Sequence, residues 1–206
     1  MFQEKQMAFE RQSEKAYQHL RQQLIGRFLP PGSRLKETHW AETLQINRGD
    51  VRQALARLFA EGLVVREGKG FLVREYSSRD IAEMLETRRL LEKGAAELVI
   101  ERATPEDICE LEEIHGHMIT MAENHYEQGF DEADLRFHTV FVRAAHNDRL
   151  MELYHHANIM LTGPGSGAIT KAGIRENLLD IAQDHKQIID AIKAGDLPSL
   201  LKYLKY

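Results

Sequence analysis

Residues 47–74 read NRGDVRQALARLFAEGLVVREGKGFLVR, and this stretch decides the fold of the first third of the chain. Asn47 is a plausible N-cap, and Asp50, at the third helical position, complements the positive end of a helix. Val51, Ala54, Leu55, Leu58 and Phe59 then fall on one helical face, and Gly62 stops the helix. Leu63-Val64-Val65-Arg66 and Phe71-Leu72-Val73-Arg74 are short β-rich runs joined by Glu67-Gly68-Lys69-Gly70, a hairpin pattern.

Upstream, Tyr17, Leu20, Leu24 and Ile25 take helical spacing over residues 13–26, and Leu29-Pro30-Pro31-Gly32 ends that helix. A short second helix runs over 38–44, with Trp40, Ala41 and Leu44 inward, and Gln45-Ile46-Asn47 is a tight connection. The order helix, helix, turn, helix, β-hairpin predicts a winged helix-turn-helix over residues 1–75. Its third helix would enter a major groove with the hairpin beside it. Tyr76-Ser77-Ser78 reads as a linker, and residues 79–206 carry only helical patterns, an all-α antiparallel bundle. The expected helices are 79–102, 105–128, 131–146, 149–161, 175–194 and 198 onward, with Thr104 and Asp196 placed just ahead of prolines that favour a helix start. Gly163-Pro164-Gly165-Ser166-Gly167 reads as a loop.

Charge divides the chain in the same place. Residues 1–75 hold 13 Lys and Arg against 9 Asp and Glu, whereas the remainder holds 14 against 23, within a net charge of −5. A basic first module is suited to phosphate, and the acidic second module to another task. The 206 residues are 43% hydrophobic and 29% charged, which excludes a disordered chain and, with no long apolar run, a membrane-spanning one. The polar N-terminus has no signal-peptide core, and one cysteine, Cys109, allows no internal disulfide, so a cytoplasmic location is expected.

In the third helix Arg48 and Arg52 are four residues apart and share a face, where arginine grips phosphate or forks onto guanine. Gly49 lies between them, and Lys69 and Gly70 form the hairpin tip. With Arg34, these residues are the expected DNA contacts; the alternative reading is a solvated basic helix end and an ordinary turn. Asp134 and His138, also four apart, are either a pair of metal ligands or a surface hydrogen bond, and His185 lies in an amphipathic helix. His115 with His117 and His155 with His156 are spaced against sharing a face, Cys109 has no activating neighbour, and no hydrolase, metalloprotease or dinucleotide fingerprint is present.

As a set, these residues resemble the GntR family of bacterial transcription regulators. The matching positions are Pro31-Gly32, Leu35, Glu37, Ala41, Arg48, Val51, Arg52, Ala54, Leu55, Leu58 and Glu61-Gly62-Leu63-Val64. Residues 79–206 resemble the helical FCD domain of its FadR branch through Arg88, Leu91-Glu92, Asp134, Phe137-His138, Ala144-Ala145, Asn147, His185, Ala191-Ile192 and Gly195-Asp196. The resemblance implies a homodimeric repressor that binds a partly palindromic operator on double-stranded DNA and answers to a small organic acid effector. It implies a divalent metal held by Asp134, His138 and His185, with Zn²⁺ expected ahead of Ni²⁺ or Mn²⁺, and an effector contact at Arg88, for which a salt bridge inside the helical domain is the equal alternative. A metal-free effector pocket, a metal-dependent enzyme and a protein-docking module are the rival readings.

Two departures from the family pattern stand out. Gly49-Asp50 replace the usual Thr-Pro, which sets an acid near the DNA backbone. The family's last histidine is expected about where the chain stops at Tyr206, so the sequence reads as cut short, with one ligand fewer.

Overall fold

A computed structural model describes residues 2–157 and 178–204, with side chains from residue 12 onward. It divides into two compact units, Met1–Ser77 and Ser78–Tyr206.

The first unit is a three-helix cluster with a small sheet. Helices α1 (Phe2–Ile25), α2 (Glu37–Leu44) and α3 (Arg48–Ala60) accompany strands β1 (Arg34–Leu35), β2 (Val64–Glu67) and β3 (Gly70–Val73). Helix α1 starts at Phe2 rather than near Ser13, because residues 2–12 are strong helix formers without an apolar stripe to announce them. The sheet order is β1-β3-β2, all antiparallel, with Val65 opposite Leu72 and Arg34 opposite the same residue on the other side. The expected hairpin is therefore present, and β1, too short to show a period, is an addition. Leu20, Val51, Leu55, Leu58 and Leu63 are almost wholly buried and form the core. Phe59, expected on that face, is 44% exposed, since it lies one residue round the helix from Leu58.

Helix α3 ends in a Schellman motif: the Gly62 N–H donates to the Phe59 carbonyl and the Leu63 N–H to the Leu58 carbonyl. Gly62 supplies the positive φ this turn needs. At its other end Asn47 occupies the N-cap position with extended backbone but makes no side-chain capping bond.

The second unit is all helical among the described residues: α4 (Ser78–Arg102), α5 (Pro105–Glu123), α6 (Glu127–Arg143), α7 (Asp148–His156), α8 (Leu178–Ala194) and α9 (Leu197–Tyr203). Thr104 and Asp107 form a reciprocal capping box on α5, and Asp196 caps α9 by accepting from the Ser199 N–H. Helix α5 ends at Glu123, not Gln128, and α6 starts earlier than residue 131. The chain turns at His125, which takes a positive φ while the Tyr126 N–H donates to the Met121 carbonyl. A helix C-terminus built on histidine carries neither glycine nor proline to mark it. The glycine-rich 163–167 segment and the predicted ends at 161 and 175 lie outside the described residues. Phe130, Phe137, Phe141, Ile114, Met118, Val99, Ile188 and Ile189 fill the core of this unit.

Candidate functional sites

In the first unit the expected DNA contacts form two groups. Arg48, Gly49 and Arg52 lie on the outer face of α3, and a methyl group built on Gly49 would meet no atom within 4 Å. Both arginines converge on Glu37, the first residue of α2. Arg52 donates from Nε and Nη2 to its two carboxylate oxygens at 2.9 and 2.8 Å, and Arg48 Nη2 lies 3.7 Å away. These hydrogen bonds hold the Glu37 carboxyl below the usual carboxylate range against a smaller opposing effect of burial. In the second group, Arg34 on β1 reaches across β3 to Glu67, the residue before the exposed turn Gly68-Lys69 and Gly70.

Asp50 does not lie where the sequence places it. It precedes Ala54 by one turn and shares the inward stripe of α3, so its side chain is buried rather than set against a DNA backbone. Neither of its carboxylate oxygens meets a hydrogen-bond partner among the described residues.

In the second unit the structure brings Asp134, His138 and His185 together, although His185 comes from a different helix. One donor atom from each lies within 4.8 Å of the other two. His138 Nε2 and His185 Nε2 are 3.1 Å apart, and Asp134 Oδ1 is 3.1 Å from His185 Nε2 and 3.7 Å from His138 Nε2. Asp134 and His138 share the stripe of α6 that carries Phe130, Phe137 and Phe141, so helical periodicity itself turns them inward.

The other nitrogen of His185 is hydrogen-bonded to the backbone, and that of His138 lies against a carboxylate at ion-pair distance. His185 Nδ1 is 2.8 Å from the Ile181 carbonyl, and His138 Nδ1 is 3.0 Å from Glu92 Oε2. Both neighbours are acceptors, which favours the tautomer with the proton on each Nδ1 and leaves the two Nε2 atoms, 3.1 Å apart, as the metal-facing donors. Two imidazole lone pairs and a carboxylate aimed at one point repel one another unless a cation or a proton lies among them. Donors about 2.1 Å from a common ion stand about 3.0–3.4 Å apart at right-angled to tetrahedral geometry; the two 3.1 Å separations to His185 Nε2 fall in that range, and the 3.7 Å from Asp134 Oδ1 to His138 Nε2 is wider. The donor set fits a divalent ion, and the carboxylate and carbonyl behind the two rings form the outer shell such sites use.

Arg88 and Glu92 complete the cluster from α4. Arg88 donates from Nε to Glu92 Oε1 at 2.9 Å and from Nη2 to Asp134 Oδ2 at 3.0 Å, and the Tyr154 hydroxyl donates to Glu92 Oε1 at 2.9 Å. Burial works against the charge on Asp134, but Arg88 and the two rings outweigh it and hold that carboxyl far below its usual range. Burial, then Arg88, pushes the His138 ring below the ordinary imidazole value, so it is neutral near pH 7 and able to coordinate. Burial likewise opposes the charge on Glu92, and His138 with Arg88 overcomes it. Glu92 and Tyr154 had no assigned part in the sequence reading. The available signal was Arg88 and Glu92 on the same α4 stripe as Ala95, Ala96 and Val99, two charges where apolar residues belong. Helix α9, Leu197–Tyr203, contains no histidine.

Comparison with known proteins gives the same division. Residues 12–73 match "Bacterial regulatory proteins, gntR family", and residues 83–200, more than half of the chain, match "FCD domain". The chain belongs to the GntR family. It is similar to the HTH-type transcriptional regulator LutR of Bacillus subtilis (strain 168), with 29% identity over 187 residues, 82% of this chain and 84% of LutR. The probable D-xylose utilization operon transcriptional repressor of Paenarthrobacter nicotinovorans is 30% identical over 179 residues, 85% of this chain and 75% of that one. Among solved structures, E. coli McbR/YncC superposes with a TM-score of 0.81 at 25% identity, covering 94% of this chain and 91% of its own. These relatives are transcription regulators, and this GntR-family chain is a transcription regulator rather than an enzyme. Among its described residues no helix is long and apolar enough to cross a membrane.

Proposed function

We propose that this GntR-family protein is a repressor whose grip on its operator is set by a small organic acid bound beside a divalent metal in the FCD domain. The division of labour is residues 1–75 for DNA, a linker expected at 76–78 and shorter here, 76–77, because Ser78 already opens α4, and the helical unit to residue 206 for effector binding and dimer formation. Arg48, Gly49 and Arg52 from α3, with Arg34, Lys69 and Gly70 at the hairpin, meet DNA, and a cytoplasmic homodimer sets two such heads on a partly palindromic site. Asp134, His138 and His185 hold the metal, Zn²⁺ first and Ni²⁺ or Mn²⁺ as alternatives. The bound ion supplies a Lewis-acidic position for a carboxylate. Arg88, bonded to both Asp134 and Glu92, shares its guanidinium with an arriving effector and adds positive charge to the site. Repression is supported by two relatives named as operon repressors, one for galactonate and one for D-xylose utilization.

The observation that carries this reading is the convergence of two Nε2 atoms and Asp134 Oδ1 at separations of 3.1, 3.1 and 3.7 Å, with His185 Nδ1 bonded to the Ile181 carbonyl and His138 Nδ1 facing the Glu92 carboxylate. The test is metal content per protomer by elemental mass spectrometry on protein purified without chelator, beside His138→Ala. About one ion in the parent and far less in the variant is expected. No metal in either, and none retained after adding Zn²⁺, refutes the metal and leaves a metal-free effector pocket.

A further inference from the structure

We propose that Glu37 is a positioning residue for sequence readout: it fixes the Arg52 guanidinium so that one edge faces DNA. The inference rests on the reading above, in which Arg52 contacts the duplex. Arg52 spends Nε and Nη2 on the two Glu37 oxygens, which is the side-on edge of the guanidinium. The end-on edge, Nη1 with the second N–H of Nη2, is the fork that pairs with guanine O6 and N7.

Exposure supports a positioning part over a surface ion pair. The Glu37 side chain is only 16% exposed, whereas those of Arg52 and Arg48 are 63% and 62% exposed. The acid thus lies beneath two outward cations instead of competing in solvent. Its backbone is held too: Glu37 is in the first turn of α2, where the helix N-terminus favours a carboxylate, and α2, with Trp40 and Ala41 buried, packs against α3. The triplet keeps a net positive charge, so attraction to phosphate survives while the long arginine side chain loses its freedom before binding.

The test uses the full chain and two duplexes: one enriched by the parent protein from a randomised pool, and a scrambled duplex of equal composition. Affinities over a series of KCl concentrations are measured by fluorescence anisotropy for the parent, Glu37→Ala, Glu37→Gln and Arg52→Ala. A bidentate base contact discriminates by about 5- to 150-fold. Glu37→Ala should lower the ratio of enriched to scrambled affinity about three- to tenfold, leave the salt slope within experimental error, and leave scrambled binding equal or tighter. Glu37→Gln, which keeps the shape and one acceptor, should recover part of the ratio, while Trp40 fluorescence checks that the first unit is folded. An unchanged ratio in both Glu37 variants overturns the proposal. So does a parallel rise on both duplexes, which marks Glu37 as a competing counter-ion. Arg52→Ala separates the two readings: if it keeps the ratio, Arg52 does not read bases and the underlying assignment falls. If it loses the ratio while Glu37→Ala keeps it, the Glu37 proposal alone falls.

Discussion

Replacing Arg88 by Met withdraws the guanidinium from between two buried carboxylates and leaves their surroundings otherwise filled. The side chains of Arg88, Glu92 and Asp134 are 2%, 0% and 6% exposed, and the two ion pairs span 2.9 and 3.0 Å. At an effective dielectric near 20, unit charges 4 Å apart attract by about 4 kcal/mol, enough to offset much of the cost of drying each ion. Losing the shared cation strands both acids, and breaking one buried pair typically costs about 3–5 kcal/mol. With a urea dependence of about 2 kcal/mol per molar, the midpoint of the FCD domain should fall by about 2 M. Chelator-treated protein would be unfolded in urea and followed by far-UV circular dichroism and tryptophan fluorescence together. The one tryptophan, Trp40, is buried in the first unit, so its transition should stay in place while the second unit's moves. Saturating Zn²⁺ should return part of the loss, because a cation beside Asp134 restores positive charge. A variant within 1 kcal/mol of the parent by circular dichroism would refute the reasoning and rank these contacts with surface ion pairs.

Lys69→Ala should weaken binding to any duplex and reduce the log–log salt slope by about 0.9, measured by anisotropy over a KCl series; an unchanged slope means that Lys69 touches no phosphate. Burial opposes the charge on Asp107, but the Thr104 N–H and the His146 ring at 2.8 Å outweigh it and hold the carboxyl below its usual range. A depressed folded value stabilises fully above the unfolded one, about pH 4, and the contribution disappears as pH falls through the folded value. Asp107→Asn should therefore lower thermal stability at pH 7 and narrow its difference from the parent below pH 4; a constant difference across those melts would contradict this. Phe141→Ala, at a fully buried position, should cost about 3–5 kcal/mol in chemical unfolding of the second unit, and a loss under 1 kcal/mol would place Phe141 outside the core.

What the sequence disclosed followed from periodicity and punctuation. The stripe Val51, Ala54, Leu55, Leu58 ending at Gly62 and the paired β runs fixed the winged unit, because each feature has a local cause. The same periodicity that showed α6 to be amphipathic also turned Asp134 and His138 inward, but only the fold could bring His185 to within 3.1 Å of them. Glu92 and Tyr154 were not assigned because their partners lie 46 and 62 residues away, as His138 and Glu92 respectively. Asp50 differs for the opposite reason: an acid near a helix N-terminus reads as a surface residue, whereas its position one turn before Ala54 puts it on the inward stripe. The helix boundary at His125 was hidden because a left-handed turn on a non-glycine residue has no compositional mark.

Leu63 closes α3 by donating to the Leu58 carbonyl, accepts from the Arg74 N–H beyond β3, and directly precedes Val64, the first residue of β2. No slack separates helix from hairpin. Leu63 ties both to its own backbone, hydrogen-bonded on its N–H side to the helix and on its carbonyl side to the chain after β3. An insertion between Glu61 and Val64 could not be absorbed as extra loop: it would tilt the hairpin relative to the helix and change the span between Arg52 and Lys69. In the proposed docking, with α3 in one groove and the turn at the neighbouring backbone, the distance between them is in this sense a gauge cut into the fold before any DNA arrives.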